Sequence, residues 1–454
     1  MNYREVSESF SIIDPLYEVS RFGVGMNKDL YSEFFGAEES FENLYLELIN
    51  TYEMNRLNFL KQAGLLFLIF PSATHTRFSH SLGCFILGSY ALTSILVKEG
   101  GETVTLEEYL NQKNSLEEFL IALLVHDIGH LPFSHYLEAS QKVKDFYGNH
   151  EKITEAFLTE GTKLHEILSK HAGDKDTNTI TQVCKKYSNI NMDKLIGFLT
   201  GSSTPGDSIS QLITGYLDLD RLDHYYRDSF FMGLKLASIN VRGFLDAIVL
   251  VIDKDGNSQF FLRKEGIPHV LHLLFGREML WQRAFDNDFN RAYQAMLIKA
   301  FDKWIQENEV RLIDLPFMTE DELITELYSC DDSRSLFERI MMRKPYFLAY
   351  KAESSMSEKE VKESFSYWLR KRAKNDTDFL LFMPKNYKKE DFTNEWLLSN
   401  IRIYEGGDLR GTHSELIYYF LKQHQKRNST IRVYAKDRKL ADQVRDELKD
   451  IFGR

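Results

Sequence analysis

Three histidines and an aspartate follow directly on an apolar run in the stretch LLVHDIGHLPFSH, Leu123 to His135. Such a run normally enters a protein core, where charged and imidazole groups are costly unless they are paired, hydrogen-bonded or bound to a metal. A hydrogen-bonded core position explains any one of these histidines taken singly. A single bound cation would instead neutralise the aspartate and satisfy the imidazoles together, so the group favours a metal site.

The clustering of histidines extends beyond this stretch. Of the 13 histidines, six lie between positions 75 and 150, namely His75, His80, His126, His130, His135 and His150. We expect a helix through HDIGH, because residues four apart then share one face and the aspartate lies beside them. Imidazole and carboxylate ligands suit Zn, Fe or Mn, and Mg or Mn become favoured as oxygen ligands increase. The sequence therefore predicts a divalent metal ion of open identity.

A second polar stripe occurs in YLDLDRLDHYYRD, Tyr216 to Asp228. Its charged residues and His224 recur at helical spacing beside leucines and tyrosines, which predicts an amphipathic helix. When this segment is taken alone, an exposed helix face with ion pairs between residues four apart accounts for it.

The elements that must position these motifs are predicted to be mainly α-helical. Proline is scarce, with 8 in 454 residues, and apolar residues recur at helical spacing in segments 116–125, 153–158 and 271–280. The segment Ile248 to Gly266 instead predicts a β-hairpin around a Lys-Asp-Gly-Asn turn. After about Lys351 the chain becomes polar, and short strand-like pieces then alternate with helices, so we expect a small α+β region there.

The amino-acid composition limits the classes of protein to which this chain can belong. A hydrophobic content of 43% is enough for a large core. The N-terminus lacks the plan of a signal peptide, and the longest apolar run, Leu65 to Phe70, is too short to cross a bilayer, so we expect a cytoplasmic protein without a membrane partner. The three cysteines are far apart, which argues against a disulfide framework and a thiolate zinc site. A net charge of −11 opposes an extended nucleic-acid surface.

Four motifs in register resemble one family. They are HTRFSHSLG (His75 to Gly83), LLVHDIGHLPFSH, NHE (Asn149 to Glu151) and DLDRLDHYYRD. Their order is similar to that of the HD-domain phosphohydrolases, and most closely to that of the deoxynucleoside triphosphate triphosphohydrolases. The resemblance covers roughly Arg56 to Arg291. It implies an HD-domain helical core in residues 1–350, with the β-hairpin 248–266 inserted, and leaves 351–454 as a small α+β C-terminal accessory region.

The resemblance also implies a role for each matching residue. A catalytic divalent cation (Mn, Fe, Mg or Zn) would be held by His80, His126, Asp127 and Asp220. Proton transfer would involve His130, His135, His150 and Glu151, with His150 as general acid and Glu151 as its orienting partner. Substrate contacts would come from Gln62, Arg77, Arg221, His224, Asp228 and Arg277. Of these, the arginines would meet the phosphates, although a surface ion pair accounts equally for a lone arginine.

The sequence departs from the family pattern on the sugar side. Gln62 and Asp228 match residues that hold the 3′ hydroxyl in relatives. Ala63 stands where vertebrate deoxynucleoside triphosphate triphosphohydrolases have a leucine packed against the sugar, and His224 and Phe285 each replace a tyrosine of the family pattern. Such changes alter specificity more readily than they abolish metal chemistry, so the preference for deoxy over ribo substrates is open.

Three functions follow from these observations. The first is a metal-dependent hydrolase that converts deoxynucleoside triphosphates to deoxynucleoside and inorganic triphosphate. The second keeps the hydrolysis and changes the substrate to another nucleotide, a signalling phosphate ester or an oligonucleotide end. The third is a non-catalytic nucleotide sensor, against which the complete catalytic set argues.

The family resemblance further implies a homo-oligomer, a dimer or tetramer, with regulatory nucleotides at subunit interfaces. The basic run RKRAK, Arg370 to Lys374, is a candidate phosphate contact, but the end of a helix with dipole-stabilising cations explains it more simply.

Overall fold

The computed structural model describes residues 11–14, 16, 18–21, 39–187, 189–201, 208–215, 218–235, 240–307, 309–373, 375–384, 402–404 and 430–452. The predicted mainly α fold with small β regions is confirmed in this part of the chain. None of its helices combines the length and the hydrophobicity needed to cross a membrane.

The helices of the described part are α1 (Glu39–Ile49), α2 (Tyr52–Leu57), α3 (Arg77–Ser94), α4 (Leu106–Gln112), α5 (Leu116–Val125), α6 (Gln141–Tyr147), α7 (His150–Leu158), α8 (Lys163–Asp174), α9 (Ile180–Lys186), α10 (Met192–Thr200), α11 (Gln211–Thr214), α12 (Leu219–Phe231), α13 (Val241–Asp246), α14 (Ile267–Leu280), α15 (Asp288–Glu307), α16 (Glu320–Ser329), α17 (Asp331–Met341), α18 (Glu358–Arg372) and α19 (Arg438–Phe452). Shorter 3₁₀ turns cover Gly64–Leu68, Ser134–Ala139, Lys264–Gly266 and Glu309–Phe317, and a π-helical turn covers Trp281–Phe285.

The strands are β1 (Ser11–Asp14), β2 (Glu18–Arg21), β3 (Leu96–Glu99), β4 (Glu102–Thr105), β5 (Ile248–Ile252), β6 (Ser258–Arg263), β7 (Phe347–Glu353), β8 (Phe379–Phe382), β9 (Arg402–Tyr404) and β10 (Thr430–Ala435). They form a β1-β2 pair, a sheet in the order β7-β10-β8 and a sheet in the order β4-β3-β5-β6-β9.

The predicted hairpin is present as β5 and β6, which pair antiparallel from Ile248 opposite Leu262 to Ile252 opposite Ser258. Its turn includes Gly256, whose φ of 82° is a conformation that favours glycine. Two neighbours of the hairpin come from distant parts of the chain, since β3 and β9 each pair with it in parallel.

Two apolar clusters organise the described part. The larger joins the helices up to Tyr346 and also takes in Leu380, Phe382 and Tyr434 from the later strands. The smaller packs α18 and α19 against the β7-β10-β8 sheet, through side chains that include Val361, Val433, Val444 and Leu448. The boundary at residue 351 stays a prediction, because β7 runs across it and 385–401 and 405–429 lie outside the described residues.

Arg432 connects the smaller cluster to the larger one. Its guanidinium is buried on β10 and donates to Asp288 Oδ1 at 3.0 Å and to Asp286 Oδ2 at 2.8 Å. These two acids lie directly after the π-helical turn, at the start of α15. The C-terminal sheet is therefore bonded to the segment that follows Arg277.

The expected helix through HDIGH is wrong. Helix α5 ends at Val125, and the next residues form tight turns in which Ile128 donates to the Val125 carbonyl at 3.2 Å and His130 donates to the Asp127 carbonyl at 3.1 Å. Pro132 follows closely and disfavours a continuing helix. Consequently, the motif's side chains leave the end of a buried helix in several directions rather than from one face.

Capping side chains start the other helices that carry candidate site residues. The caps are Thr76 for α3, Asn149 for α7 and Asp218 for α12, each of which accepts a backbone N–H of the first turn. Because a cap fixes where a helix begins, it also fixes which residues occupy the first turn. His80, His150 and Asp220 lie in these first turns; His80 and Asp220 approach His126, and His150 stacks on His130, just after α5.

Candidate metal and catalytic site

Four side chains predicted as metal ligands converge at the end of α5. His80 Nε2 lies 2.9 Å from Asp220 Oδ1 and 3.6 Å from Asp127 Oδ2. His126 Nε2 lies 3.4 Å from Asp127 Oδ1 and 3.7 Å from Asp220 Oδ1. Ligand atoms that share one cation at bond lengths of 2.0–2.2 Å are separated by about 3–3.5 Å. The spacing of these four groups therefore fits a single divalent cation.

The two imidazoles are oriented as metal ligands require. His80 Nδ1 bonds to Asp223 Oδ2 at 2.7 Å, and His126 Nδ1 donates to the Leu123 carbonyl at 2.9 Å. Each Nδ1 is therefore held by a fixed oxygen, and Nε2 is the nitrogen of each ring that would face a cation among the carboxylates. His126 Nε2 is buried without a hydrogen-bond partner among the described residues, as expected for an atom that binds a cation.

Asp223 supports His80 and was not assigned this role from the sequence. Arg227 holds its carboxylate through two bonds, from Nε at 2.8 Å and from Nη2 at 2.9 Å. Gly83 makes room for this pair, because a Cβ there would come within 2.0 Å of Asp223 Oδ1. The glycine of HTRFSHSLG and the second aspartate of DLDRLD are the sequence signals that point to this contact.

Asp127 is held by Arg77, whose Nη1 bonds to Asp127 Oδ2 and whose Nε donates to Ser134 Oγ at 2.9 Å. Burial alone would raise the pKa of this carboxyl, but Arg77 and the adjacent histidines keep the pKa well below its ordinary value. Asp127 is therefore ionised, as a ligand must be. Arg77 is itself buried, so its predicted phosphate contact stays a prediction.

Cys84 also approaches the predicted ligands. Its sulfur lies 3.8 Å from both ring nitrogens of His80. Burial raises the pKa of the thiol, and His80 Nδ1, one of the two nitrogens beside the sulfur, is already bonded to Asp223. The ionised Asp127 is consequently the better fourth ligand.

A second group of side chains surrounds Glu138, and we call His130, His135, Glu138 and His150 the Glu138 cluster. His150 Nδ1 lies 2.7 Å from Glu138 Oε1, and His135 Nδ1 lies 3.2 Å from Glu138 Oε2. The His130 ring stacks on His150 with centroids 3.7 Å apart. Burial alone would raise the pKa of Glu138, but His135 and His150 keep it well below its ordinary value, so the carboxylate is charged.

The structure brings Glu138, and not Glu151, to His150. The Glu151 side chain is exposed, and its carboxylate accepts from Asn149 Nδ2 at 2.7 Å. The sequence reasoning missed Glu138, although it lies three residues after His135, on the 3₁₀ turn Ser134–Ala139. A His-x-x-Glu spacing directly after the HDIGH motif was the available signal.

The predicted substrate residues occupy two sides of the site. Arg221 lies on α12, partly exposed, and pairs with Asp218, while Arg277 lies on α14 with its guanidinium 5.7 Å from the centre of the Tyr225 ring. Gln62 is buried, and its Oε1 has no hydrogen-bond partner in the described ranges.

Asp228 is fully buried between two histidines. His75 Nε2 lies 2.6 Å from its Oδ1, and His224 Nδ1 lies 2.9 Å from its Oδ2. The His224 ring also lies 6.4 Å from His80 and 5.5 Å from Phe285, measured between ring centres. His224 thus links the predicted ligands to the π-helical turn that carries Phe285, and Ala63 belongs to the same small apolar cluster as that turn.

Comparison with known proteins adds to this geometry. No protein-family model matches the sequence. An HD domain-containing protein of Acanthamoeba polyphaga mimivirus is 24% identical over 93% of this chain and 96% of its own length. A deoxynucleoside triphosphate triphosphohydrolase of Danio rerio is 23% identical over 73% of this chain and 57% of its own. An uncharacterized protein of Methanocaldococcus jannaschii is 28% identical over 66% of this chain and 55% of its own length. The chain spans about half the length of this protein and of two further uncharacterized relatives.

Among solved structures, a phosphohydrolase from Bacteroides thetaiotaomicron has the same fold, with a TM-score of 0.62 and 19% identity over 94% of this chain and all of that one. The motifs occur in one order along the sequence, and their side chains meet at one place. Together with the named relatives, these observations support the resemblance of the chain to the HD-domain phosphohydrolases.

Proposed function

We propose that this protein is a metal-dependent phosphohydrolase that cleaves deoxynucleoside triphosphates into deoxynucleoside and inorganic triphosphate. One observation carries the proposal: the four candidate cation ligands lie beside a histidine that is oriented by a buried carboxylate. His130 joins the two parts, with Nε2 3.1 Å from Asp127 and its other nitrogen facing Glu138. The similarity to deoxynucleoside triphosphate triphosphohydrolases supports the substrate class.

We assign cation binding to His80, His126, Asp127 and Asp220. A divalent cation supplies Lewis-acid stabilisation of phosphate charge and activates water at neutral pH. The Asp220 side chain is 36% exposed, whereas His80 is fully buried, so the solvent side of the site lies at Asp220. This open side is where a phosphate and a water would approach.

His150 is assigned as the general acid that protonates the leaving 5′ oxygen. Its Nδ1 is bonded to Glu138, which leaves Nε2 as the atom that gives its proton to the substrate. Glu138 stabilises the protonated ring and fixes its orientation, so it is a positioning residue. The partly exposed His150, at 15%, and the exposed His135, at 54%, allow protons to exchange with solvent.

Phosphate binding is assigned to Arg77, Arg221 and Arg277, and sugar binding to Gln62, His224 and Asp228. The unpartnered Gln62 Oε1 supports a contact with a hydroxyl donor such as the 3′ OH, because a buried acceptor is stable only when a partner satisfies it. Asp228 fixes the orientation of the His224 ring. Of the three assigned sugar-binding residues, His224 is the one that is partly exposed, at 24%.

The test is a product analysis. The purified protein is incubated with each deoxy- and ribonucleoside triphosphate and with Mg²⁺, Mn²⁺, Zn²⁺ or Fe²⁺, and the products are separated. Formation of nucleoside and triphosphate supports the proposal. Absence of triphosphate with every combination refutes it.

A second candidate is hydrolysis of a different phosphate ester, either a nucleotide or an oligonucleotide end. His224 and Phe285 favour this candidate, because they lie side by side and each replaces a tyrosine of the family that the sequence resembles. The same assay separates the two candidates, because a phosphodiesterase releases a nucleoside monophosphate. A sensor would instead retain the nucleotide uncleaved in the presence of metal.

We further propose that the protein acts as a cytoplasmic homo-oligomer, on the basis of its family resemblance and its scarce cysteines.

A further inference from the structure

The Glu138 cluster has the geometry of a second cation site. One ligand atom from each of His130, His135, Glu138 and His150 lies within 4.8 Å of the others. Three imidazoles and one carboxylate form a nitrogen-rich set, which suits late first-row cations such as Zn²⁺ and disfavours Mg²⁺. This donor set is separate from the His80, His126, Asp127 and Asp220 set.

The orientation of His130 points to a ligand. Its side chain is 1% exposed, and Nδ1 has no hydrogen-bond partner within the described ranges. Nε2 lies 3.1 Å from Asp127 Oδ1 and carries the ring proton, so the Nδ1 lone pair faces the cluster. Histidines that bind metals typically donate their other N–H to a carboxylate in this way.

The ligand atoms of the cluster lie close enough together to meet at one cation after small shifts of the side chains. His130 Nδ1 lies 3.8 Å from Glu138 Oε1, which is too long for a hydrogen bond and close to the separation of two ligands on one zinc ion. The Glu138 carboxylate is buried and bonded to His135 and His150, so a cation bound here would exchange these two hydrogen bonds for metal ligation. The exposed His135 gives the site contact with solvent.

We propose that the Glu138 cluster binds a second divalent cation of the zinc class, and that this cation switches His150 off as a proton donor. Binding requires the Nδ1 lone pairs of His135 and His150, so each Nδ1 proton is displaced, to solvent from a doubly protonated ring or to Nε2 of a neutral ring. A cation on His150 Nδ1 prevents the imidazolium form, and the neutral ring that remains holds its one proton on Nε2 too tightly to serve as the acid for a leaving group. The binding is independent of the proposed hydrolase activity, whereas the inhibition rests on it.

The test is equilibrium dialysis of the full-length protein against Zn²⁺ without nucleotide, with the bound metal measured by elemental analysis. The wild type is expected to bind two equivalents, and Glu138→Gln one. His135→Ala should weaken the second equivalent by about 10- to 100-fold. The His135 side chain is 54% exposed, so the fold does not depend on it and this variant remains informative if Glu138→Gln fails to fold.

His272→Ala is the matched control, because His272 is exposed and belongs to neither ligand group, and it should retain both equivalents. Asp220→Asn should lose the first equivalent alone. A wild type that binds one equivalent, lost in Asp220→Asn, overturns this inference, as does a second equivalent that survives in both cluster variants. A protein that binds two equivalents and hydrolyses nothing overturns only the proposed function.

Discussion

Asp223 Oδ2 bonds to Nδ1 of His80 at 2.7 Å, and this contact turns the opposite ring nitrogen, Nε2, toward Asp220 and Asp127. Both residues are fully buried, so neither exchanges this bond for water. The orientation of one predicted metal ligand thus depends on a residue that would not touch the cation.

We predict that Asp223→Asn lowers the affinity for the first cation by about 10- to 100-fold, because removal of an outer carboxylate frees the ring to adopt the other tautomer. Equilibrium dialysis against Mn²⁺ measures the change, and circular dichroism verifies the fold. Asp246→Asn, an exposed carboxylate at the end of α13, should leave the affinity unchanged. Equal affinities of Asp223→Asn and the wild type would show that His80 is oriented by its packing alone.

The contact between His150 and Glu138 gives the second prediction. His150→Ala should lower kcat by about 10²- to 10⁴-fold, the usual contribution of general acid catalysis, while the first cation still binds. Glu138→Gln should lower kcat more than Glu151→Gln, because Glu138 lies 2.7 Å from the ring and Glu151 is exposed. Kinetics with the best substrate found in the product analysis test this order. A larger loss in Glu151→Gln would restore Glu151 as the partner of His150.

The sequence was sufficient for the features that depend on local pattern and on motif order. The β5-β6 hairpin followed from alternation around a glycine turn, and the resemblance named four predicted cation ligands whose side chains lie close together. Features that depend on long-range pairing were not predicted. The parallel pairing of β3 with β5 and of β6 with β9 joins segments far apart along the chain, which periodicity within one window does not report.

The course of the chain after α5 shows why the rest of the site was missed. His126 and His130 are four residues apart along the sequence whether the segment is a helix or a series of tight turns. Sequence spacing alone therefore did not distinguish the two conformations. Only the turn lets His130 reach both Asp127 and Glu138. Glu138 itself stands on a 3₁₀ turn after Phe133 and Ser134, which both have positive φ, and side-chain patterns give little warning of such backbone geometry.

Gly129 gives the third prediction, since it lies against the start of α7. A Cβ at this position would come within 2.2 Å of the His150 carbonyl oxygen and 2.5 Å of the Thr154 nitrogen. Gly129→Ala must push α7 away, and such overpacking costs about 1–3 kcal/mol of unfolding free energy. It should also lower kcat, because His150 moves with the helix. Urea denaturation and the hydrolysis assay measure the two effects.

The control for Gly129→Ala is Gly173→Ala, within α8, where an added Cβ would meet nothing within 4 Å. Alanine is favoured over glycine inside a helix, so this variant should be about 0.4–1 kcal/mol more stable than the wild type. Similar losses in both variants would mean that the close approach of Gly129 to α7 is unimportant.

Glu53 gives a prediction on pH. Its side chain is 1% exposed, and the carboxylate accepts from the Ile180 N–H at 3.0 Å. Burial raises the pKa of Glu53 to about 7, and backbone hydrogen bonds only partly oppose this. The folded pKa is above the unfolded value of about 4.3, so the folded state binds the proton more tightly. The resulting stabilisation is present below about pH 4 and is lost as the pH rises through 7.

Glu53→Gln keeps an acceptor for Ile180 and removes the titration. Its unfolding free energy should therefore rise relative to the wild type between pH 4 and pH 8, by on the order of 3 kcal/mol for a shift of this size. Urea denaturation at several pH values measures the difference, and Glu102→Gln, at an exposed strand end, should show no such trend. A gap between wild type and Glu53→Gln that stays constant with pH would mean that the buried carboxyl titrates in the folded protein as it does in the unfolded chain.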